Sequence, residues 1–96
     1  MYELRFAKAA EKYSKKIRGK GLKTAYRNAL NKLSSDPYIG ELKTGDLAGV
    51  YGYDVYYNKT NYEIAYRIYA EDDKIVVVIL AGTRENFYNE LKRYMK

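Results

Sequence analysis

Two hydrophobic periods alternate along this chain. Tyr2-Glu-Leu-Arg-Phe6 switches between apolar and polar positions, the period of a half-buried strand. From Ala7 to about Arg18 the period becomes helical, with Ala9, Ala10, Tyr13 and Ile17 on one stripe. Gly19-Lys-Gly21 predicts a break. Leu22, Ala25, Tyr26, Ala29, Leu30 and Leu33 then repeat at helical spacing, which predicts a second amphipathic helix. Ser34-Ser-Asp-Pro37 ends it, because a residue before proline resists the α region. The two helices are expected to form an antiparallel pair across a short loop.

Residues 38–50 show no period and contain Gly40, Gly45 and Gly49, so a loop is expected. Tyr51 to Tyr57 alternates, placing Tyr51, Tyr53, Val55 and Tyr57 opposite Gly52, Asp54 and Tyr56. After an Asn58-Lys-Thr-Asn61 turn, Tyr62 to Tyr69 alternates again, with Glu63, Ala65, Arg67 and Tyr69 on the polar side. Glu71-Asp-Asp-Lys74 is a second turn, and Ile75-Val-Val-Val-Ile-Leu80 is a β-branched central strand ending at Ala81. A helix is expected from Thr83 to the end, buried through Phe87, Leu91 and Tyr94 or Met95. The expected fold is α+β in the order β-α-α-β-β-β-α. Two helices pack on one face of an antiparallel sheet, a C-terminal helix follows, and the opposite face stays partly open.

One domain is expected over residues 1–96, since 47% apolar and 16% aromatic residues suffice for one core. The chain has no cysteine, which excludes disulfides and thiolate metal sites. It has no histidine, which removes the commonest general base and metal ligand. No metal or other cofactor is therefore expected. No apolar run reaches the roughly 20 residues of a membrane span, and no segment reads as a secretory leader. A cytoplasmic protein without a membrane partner is the expectation.

The net charge of +6 is unevenly distributed. Residues 1–33 carry ten Lys or Arg against Glu3 and Glu11, whereas residues 34–96 carry eight basic against ten acidic residues. A basic first third points to an anionic partner or to a solvated lysine-rich face. Near the other end, Arg84 and Tyr88 are four residues apart, which would place them on one helical face. A guanidinium holds phosphates and a phenol stacks or moves a proton, so the pair points to phosphate or RNA chemistry. The competing reading is an ion pair at a helix start and an ordinary half-buried aromatic.

Three stretches together resemble the RelE/ParE superfamily of bacterial toxins. Gly45-Asp-Leu-Ala-Gly49 with Val50-Tyr51 is similar to the turn-and-strand entry of YoeB-type members. Tyr62-Glu-Ile-Ala-Tyr-Arg-Ile68 resembles a Tyr-Arg strand motif, and Gly82-Thr-Arg-Glu-Asn-Phe-Tyr88 a carboxy-terminal arginine-and-tyrosine motif. RelE-type members are ribosome-dependent endoribonucleases that cut mRNA, while ParE-type members inhibit DNA gyrase. The resemblance implies a RelE-like fold, a cognate antitoxin through which oligomeric state is set, and the ribosome and mRNA as partners. It also implies metal-free cleavage through 2′-hydroxyl attack. Arg84 and Tyr88 are then catalytic, and Glu41 is the candidate base, standing where YoeB-like toxins carry a glutamate. Arg67 and Lys43 are candidates for holding phosphate.

The chain departs from that pattern. Ala48, Asp54, Tyr56 and Glu63 occupy positions that are usually basic. Carboxylates facing phosphates repel them. These departures keep open a gyrase-directed toxin, or a member without catalysis that acts by binding protein.

Overall fold

The structure, a computed structural model, describes residues 1–71, 73–85 and 87–94. Asp72, Asn86, Met95 and Lys96 lie outside these, and with them one of the two candidates for the last apolar position. The elements are β1 (Glu3–Phe6), α1 (Lys8–Lys16), α2 (Lys20–Ser35), β2 (Glu41–Leu42), β3 (Tyr51–Tyr57), β4 (Thr60–Tyr69), β5 (Ile75–Thr83) and α3 (Phe87–Tyr94). The expected α+β order is present, with β2 added inside the segment read as a loop. The five strands form one sheet in the order β1-β5-β4-β3-β2.

That sheet is mixed, not antiparallel throughout. The β3-β4-β5 meander is antiparallel as expected, but β1 lies parallel to β5, with Glu3 beside Ile75 and Phe6 beside Val78. Alternation in Tyr2–Phe6 reports a half-buried strand but not the direction of its partner. β2 is too short for its period to be read, and it pairs antiparallel through Glu41 opposite Gly52 and Leu42 opposite Tyr51.

The first helix ends earlier than expected. α1 stops at Lys16, and Gly19, at φ +87°, makes the turn that starts α2. Gly21 does not break the chain but sits in the first turn of α2. Any Cβ there would overlap the hydroxyl of Tyr57, so glycine serves close helix-to-strand packing. Tyr13 of α1 and Tyr26 of α2 meet edge to face at 5.7 Å, and Ser14 Oγ donates to the Tyr26 hydroxyl at 3.3 Å. The Asp36 side chain closes α2's exit by accepting from Tyr38 N–H at 3.2 Å.

The main core lies between the two long helices and one sheet face. Ala10, Ile17, Tyr26, Ala29 and Leu33 meet Val55, Ile64, Tyr66, Val76, Val78 and Ala81. On β5 the inward positions are therefore 76, 78 and 81, a skip that strict alternation forbids. Ala65 pairs with Leu80 and Tyr66 with Val78, so Ile79 is an extra residue in β5, a β-bulge. It turns both Ile79 and Leu80 to the other face. There they join Leu47, Val50, Ala65, Phe87 and Leu91 in a second core under α3.

The second face is thus half covered. Beyond α3 it remains open around Arg5, Tyr69, Ile75 and Val77. Tyr94, the other candidate for the last buried position, is 55% exposed; Phe87 and Leu91 are buried as expected.

One polar contact fixes the core to the chain leaving α2. The Tyr66 hydroxyl, fully buried, donates to the Pro37 carbonyl at 2.6 Å. Tyr66 also stacks on its cross-strand neighbour Tyr51, with centroids 5.6 Å apart. Tyr66→Phe leaves that carbonyl unpaired in the interior and is expected to cost about 1–2 kcal/mol of stability. Urea unfolding at constant m-value measures the loss.

Candidate functional site

The second sheet face brings one polar cluster together at the edge of α3. Asp54 of β3 and Glu63 of β4 are directly opposed across the ladder, and Glu63 faces Gly82 of β5 on its other side. Gly52 stands diagonally from Glu63, opposite Ala65. With no side chain at 52, room is left for the Glu63 carboxylate. A Cβ at Gly52 would lie 2.7 Å from Glu63 Oε2, 2.9 Å from Lys43 Cε and 3.3 Å from the Tyr88 hydroxyl. Three polar side chains therefore converge over one glycine.

Lys43 follows β2, whose end is tied down by Lys43 N–H donating to the Val50 carbonyl at 2.8 Å. Its ammonium donates to Glu41 Oε1 at 2.7 Å, lies 4.0 Å from Glu63 Oε2, and sits 4.9 Å from the centre of the Tyr88 ring. The last contact is a cation–π approach. Arg84 enters from the opposite side, with Nε 3.9 Å from Glu63 Oε1 and Nη1 3.6 Å from Asp54 Oδ2.

Arg84 and Tyr88 are neighbours of one cluster, but not by helical spacing. β5 continues to Thr83, and α3 starts only at Phe87. Arg84 occupies the intervening turn, anchored by Arg84 N–H to the Asn61 carbonyl at 3.0 Å and by Phe87 N–H to the Arg84 carbonyl at 3.1 Å. The sheet edge, not a helix face, aims the guanidinium. Tyr88 stands at the start of α3, its ring edge against Phe87 and its hydroxyl buried with no hydrogen-bond partner among the described residues.

Glu41 is exposed, and Lys43 beside it, first by hydrogen bond and then by charge, holds its carboxyl below the usual range. It is ionised and a weak base. Arg67 is placed elsewhere: its Nη1 lies beside Gly49, 3.3 Å from where a Cβ would be, and it makes no ion pair among the described residues. Of the five candidates read from the sequence, Arg84, Tyr88, Glu41 and Lys43 meet, and Arg67 stands apart.

Glu63 is the residue the pattern misjudged. Alternation puts it on the face expected to be open, yet it is 1% exposed. Burial pushes its carboxyl up to about 7, the opposed Asp54 carboxylate adds to the rise, and Lys43 and Arg84 oppose it. Neither cation contact has hydrogen-bond length, so the carboxylate is incompletely compensated. A signal was present in the sequence: Glu63 sits mid-strand between Tyr62 and Ile64. Nothing in the sequence alone, however, brings Lys43 to it. Among the described residues no group of acidic side chains forms a metal-ion cluster.

A helix-backed mixed sheet with an arginine, a lysine and a tyrosine around a buried carboxylate defines a small α+β protein with a mixed-charge cluster at the rim of α3. The chain belongs to the ParE-like toxins of type II bacterial toxin–antitoxin systems, whose family model matches residues 4–92. Its fold is also that of solved RelE toxins. An E. coli RelE double mutant in the free state is 20% identical, with TM-score 0.72, covering 98% of this chain and 93% of that one. The E. coli RelBE toxin–antitoxin complex is 22% identical, with TM-score 0.68 and coverage of 85% and 95%. The RelBE2 complex of Mycobacterium tuberculosis is 26% identical, with TM-score 0.67 and coverage of 86% and 98%. No curated protein sequence matches the chain. No helix among the described residues is long and apolar enough to cross a membrane.

The shifted carboxyl predicts a pH-dependent stability. An unfolded glutamate loses its proton near 4.5, whereas folded Glu63 keeps it to about 7. Between those values the folded state binds more protons, so Glu63's contribution to stability falls as pH rises through this window and is lost above it. The displaced carboxyl corresponds to ~3 kcal/mol. Glu63→Gln is expected to match the wild type near pH 4 and to exceed it at pH 8 by up to that amount. Paired thermal melts at the two pH values check this.

Proposed function

We propose that this toxin is a ribosome-dependent, metal-free endoribonuclease that cuts mRNA by attack of a ribose 2′-hydroxyl on the adjacent phosphate. The observation that carries the reading is the convergence of Lys43 and Arg84, from segments far apart in the chain, on one point beside Tyr88. In this reading the 2′-oxygen bonds to phosphorus and the bond to the 5′-oxygen breaks. Arg84 and Lys43 hold the phosphate as negative charge builds on it. Glu41, exposed and ionised, takes the 2′-hydroxyl proton. The leaving oxygen regains a proton from Tyr88 or Lys43. Glu41 is a weak base, so holding the phosphate in line for attack supplies more of the rate than proton transfer does.

The exposed lysines and arginines of α1 and α2 (Lys8, Lys12, Lys15, Lys16, Lys20, Lys23, Arg27 and Lys32) suit ribosomal RNA phosphates, which such contacts position without reading sequence. Arg67, beside Gly49, lies off the cluster and serves as an outlying phosphate contact. An antitoxin is the cognate partner, since solved relatives are toxin–antitoxin complexes; oligomeric state is then set with it. Action in the cytoplasm, where ribosomes are, follows from the same reading.

A second reading has an observation of its own. Asp54 and Glu63 put two carboxylates where phosphates would lie, and the family match is to ParE-like toxins. A toxin that binds gyrase or another protein needs no phosphate site.

Induction of the protein in cells, followed by mapping of mRNA 5′ ends and of DNA breaks, separates the two. Codon-phased mRNA cuts are expected. Arg84→Ala is expected to lower cutting about 100-fold, the scale of a lost charge-stabilising donor. Tyr88→Phe is expected to reduce it as well. Cuts unaltered in both variants remove the site assignment, and gyrase-dependent breaks without mRNA cuts establish the second reading.

A further inference from the structure

Glu63 holds a position unlike that of any other acid in the site. Its two carboxylate oxygens face two different cations, Oε2 towards Lys43 Nζ at 4.0 Å and Oε1 towards Arg84 Nε at 3.9 Å. The cations arrive on separate segments, one after the edge strand β2 and one in the turn between β5 and α3. Backbone hydrogen bonds tie both segments to the sheet, Lys43 through Val50 and Arg84 through Asn61, and the carboxylate lies between their charged ends. Oε2 has no hydrogen-bond partner among the described residues, although the carboxylate is buried. A buried oxygen left unpaired is costly, which points to a role other than stability.

We infer that Glu63 is a positioning residue whose carboxylate sets Lys43 and Arg84 on either side of a single anion position, so that an RNA phosphodiester meets both cations together. The substrate class rests on the nuclease reading. The juxtaposition does not, because it concerns the two cations and the acid between them.

The surroundings fit this role. Gly52 beneath the cluster admits no side chain without displacing Glu63 Oε2 and Lys43 Cε. The groups facing Glu63 are Asp54 from β3, Lys43 from the end of β2 with Glu41 behind it, Arg84 from the turn, and the Tyr88 hydroxyl from α3. Ionised, Glu63 attracts both cations inward. Protonated, it lets them go and leaves the site one charge more positive. Its carboxyl sits near neutrality, so both forms occur in the ordinary pH range. The chain has no histidine to produce a similar response.

The test uses the whole protein and a 2′-O-methyl RNA oligonucleotide, which has no 2′-hydroxyl to attack. Affinity is measured by fluorescence anisotropy at pH 6 and pH 8 for the wild type and Glu63→Gln. The wild type is expected to bind roughly fivefold more tightly at pH 6, the scale of one charge contact near a surface. Glu63→Gln is expected to bind equally at both pH values, close to the wild type at pH 6. With ribosome-bound mRNA, Glu63→Gln is expected to cut about tenfold more slowly at pH 8, because its cations are no longer held.

A Glu63→Gln protein that keeps the wild-type pH dependence of binding overturns the inference. So does a parallel loss of binding and cutting at both pH values, the mark of a loosened fold. A wild type that cuts no RNA ends the nuclease reading, while the response of the Lys43 side chain to Glu63 titration still decides the role of Glu63. Carbon NMR of the wild-type Glu63 carboxyl needs no variant. Lys43 side-chain signals that move in step with the Glu63 titration support the inference, and Lys43 signals that stay fixed through it overturn it.

Discussion

The extra residue in β5 decides how this sheet can be used. A strand whose side chains alternate strictly offers one face to each side, and β5 without a bulge would send 76, 78 and 80 to the long helices. Ile79 interrupts that count, so Ala81 takes the inward place and Ile79 and Leu80 both turn outward. Two adjacent large aliphatic side chains make an apolar patch that α3 can cover through Phe87 and Leu91. The bulge therefore seats α3, and α3 places Tyr88 over Gly52. A one-residue slip in a strand exchanges its faces; here a local slip gives β5 work on both.

Covering half of the second face creates the electrostatic problem at the site. Glu63 lies just under the rim of α3, where water is excluded but neighbouring charge is not. Desolvation of a carboxylate is expensive, and two cations near 4 Å, without hydrogen bonds, return only part of the cost. Its proton affinity consequently rises. Asp54, directly across the ladder, is exposed and shares Arg84, so the opposed acids have different surroundings and different behaviour. Arg84 reaches both, which ties its position to the state of the buried one.

Much of the fold is legible in the chain because it follows periods long enough to read. Leu22 through Leu33 at helical spacing gives α2, and alternation through Tyr51–Tyr57 and Tyr62–Tyr69 gives β3 and β4 with their faces correctly assigned. The positive φ angles of Asn58 and Lys59 sit where the turn residues lie. What escaped was set by contacts distant in sequence. The direction of β1 depends on β5, seventy residues away, and β2 exists only because Gly52 and Tyr51 pair with it. The bulge at Ile79 hides within a uniformly apolar run. At the site, Arg84 and Tyr88 do meet, but a turn brings them together rather than a helix. Glu63 was read as a missing cation because strand alternation marks a face and says nothing about what later covers it.

The cluster divides its parts between rigid and adaptable segments. Glu63 and Gly52 belong to the interior of the antiparallel ladder, held on both sides by paired strands. Lys43 follows a two-residue edge strand and Arg84 lies in a turn, each tied to the sheet by a backbone hydrogen bond. Beyond those ties, the charged end of each side chain faces opposite charge. The rigid partner for that charge is the buried carboxylate. The acid at position 63 does not empty the cluster of positive charge: Lys43 and Arg84 stand at the borders of the strand, one on each side of the carboxylate.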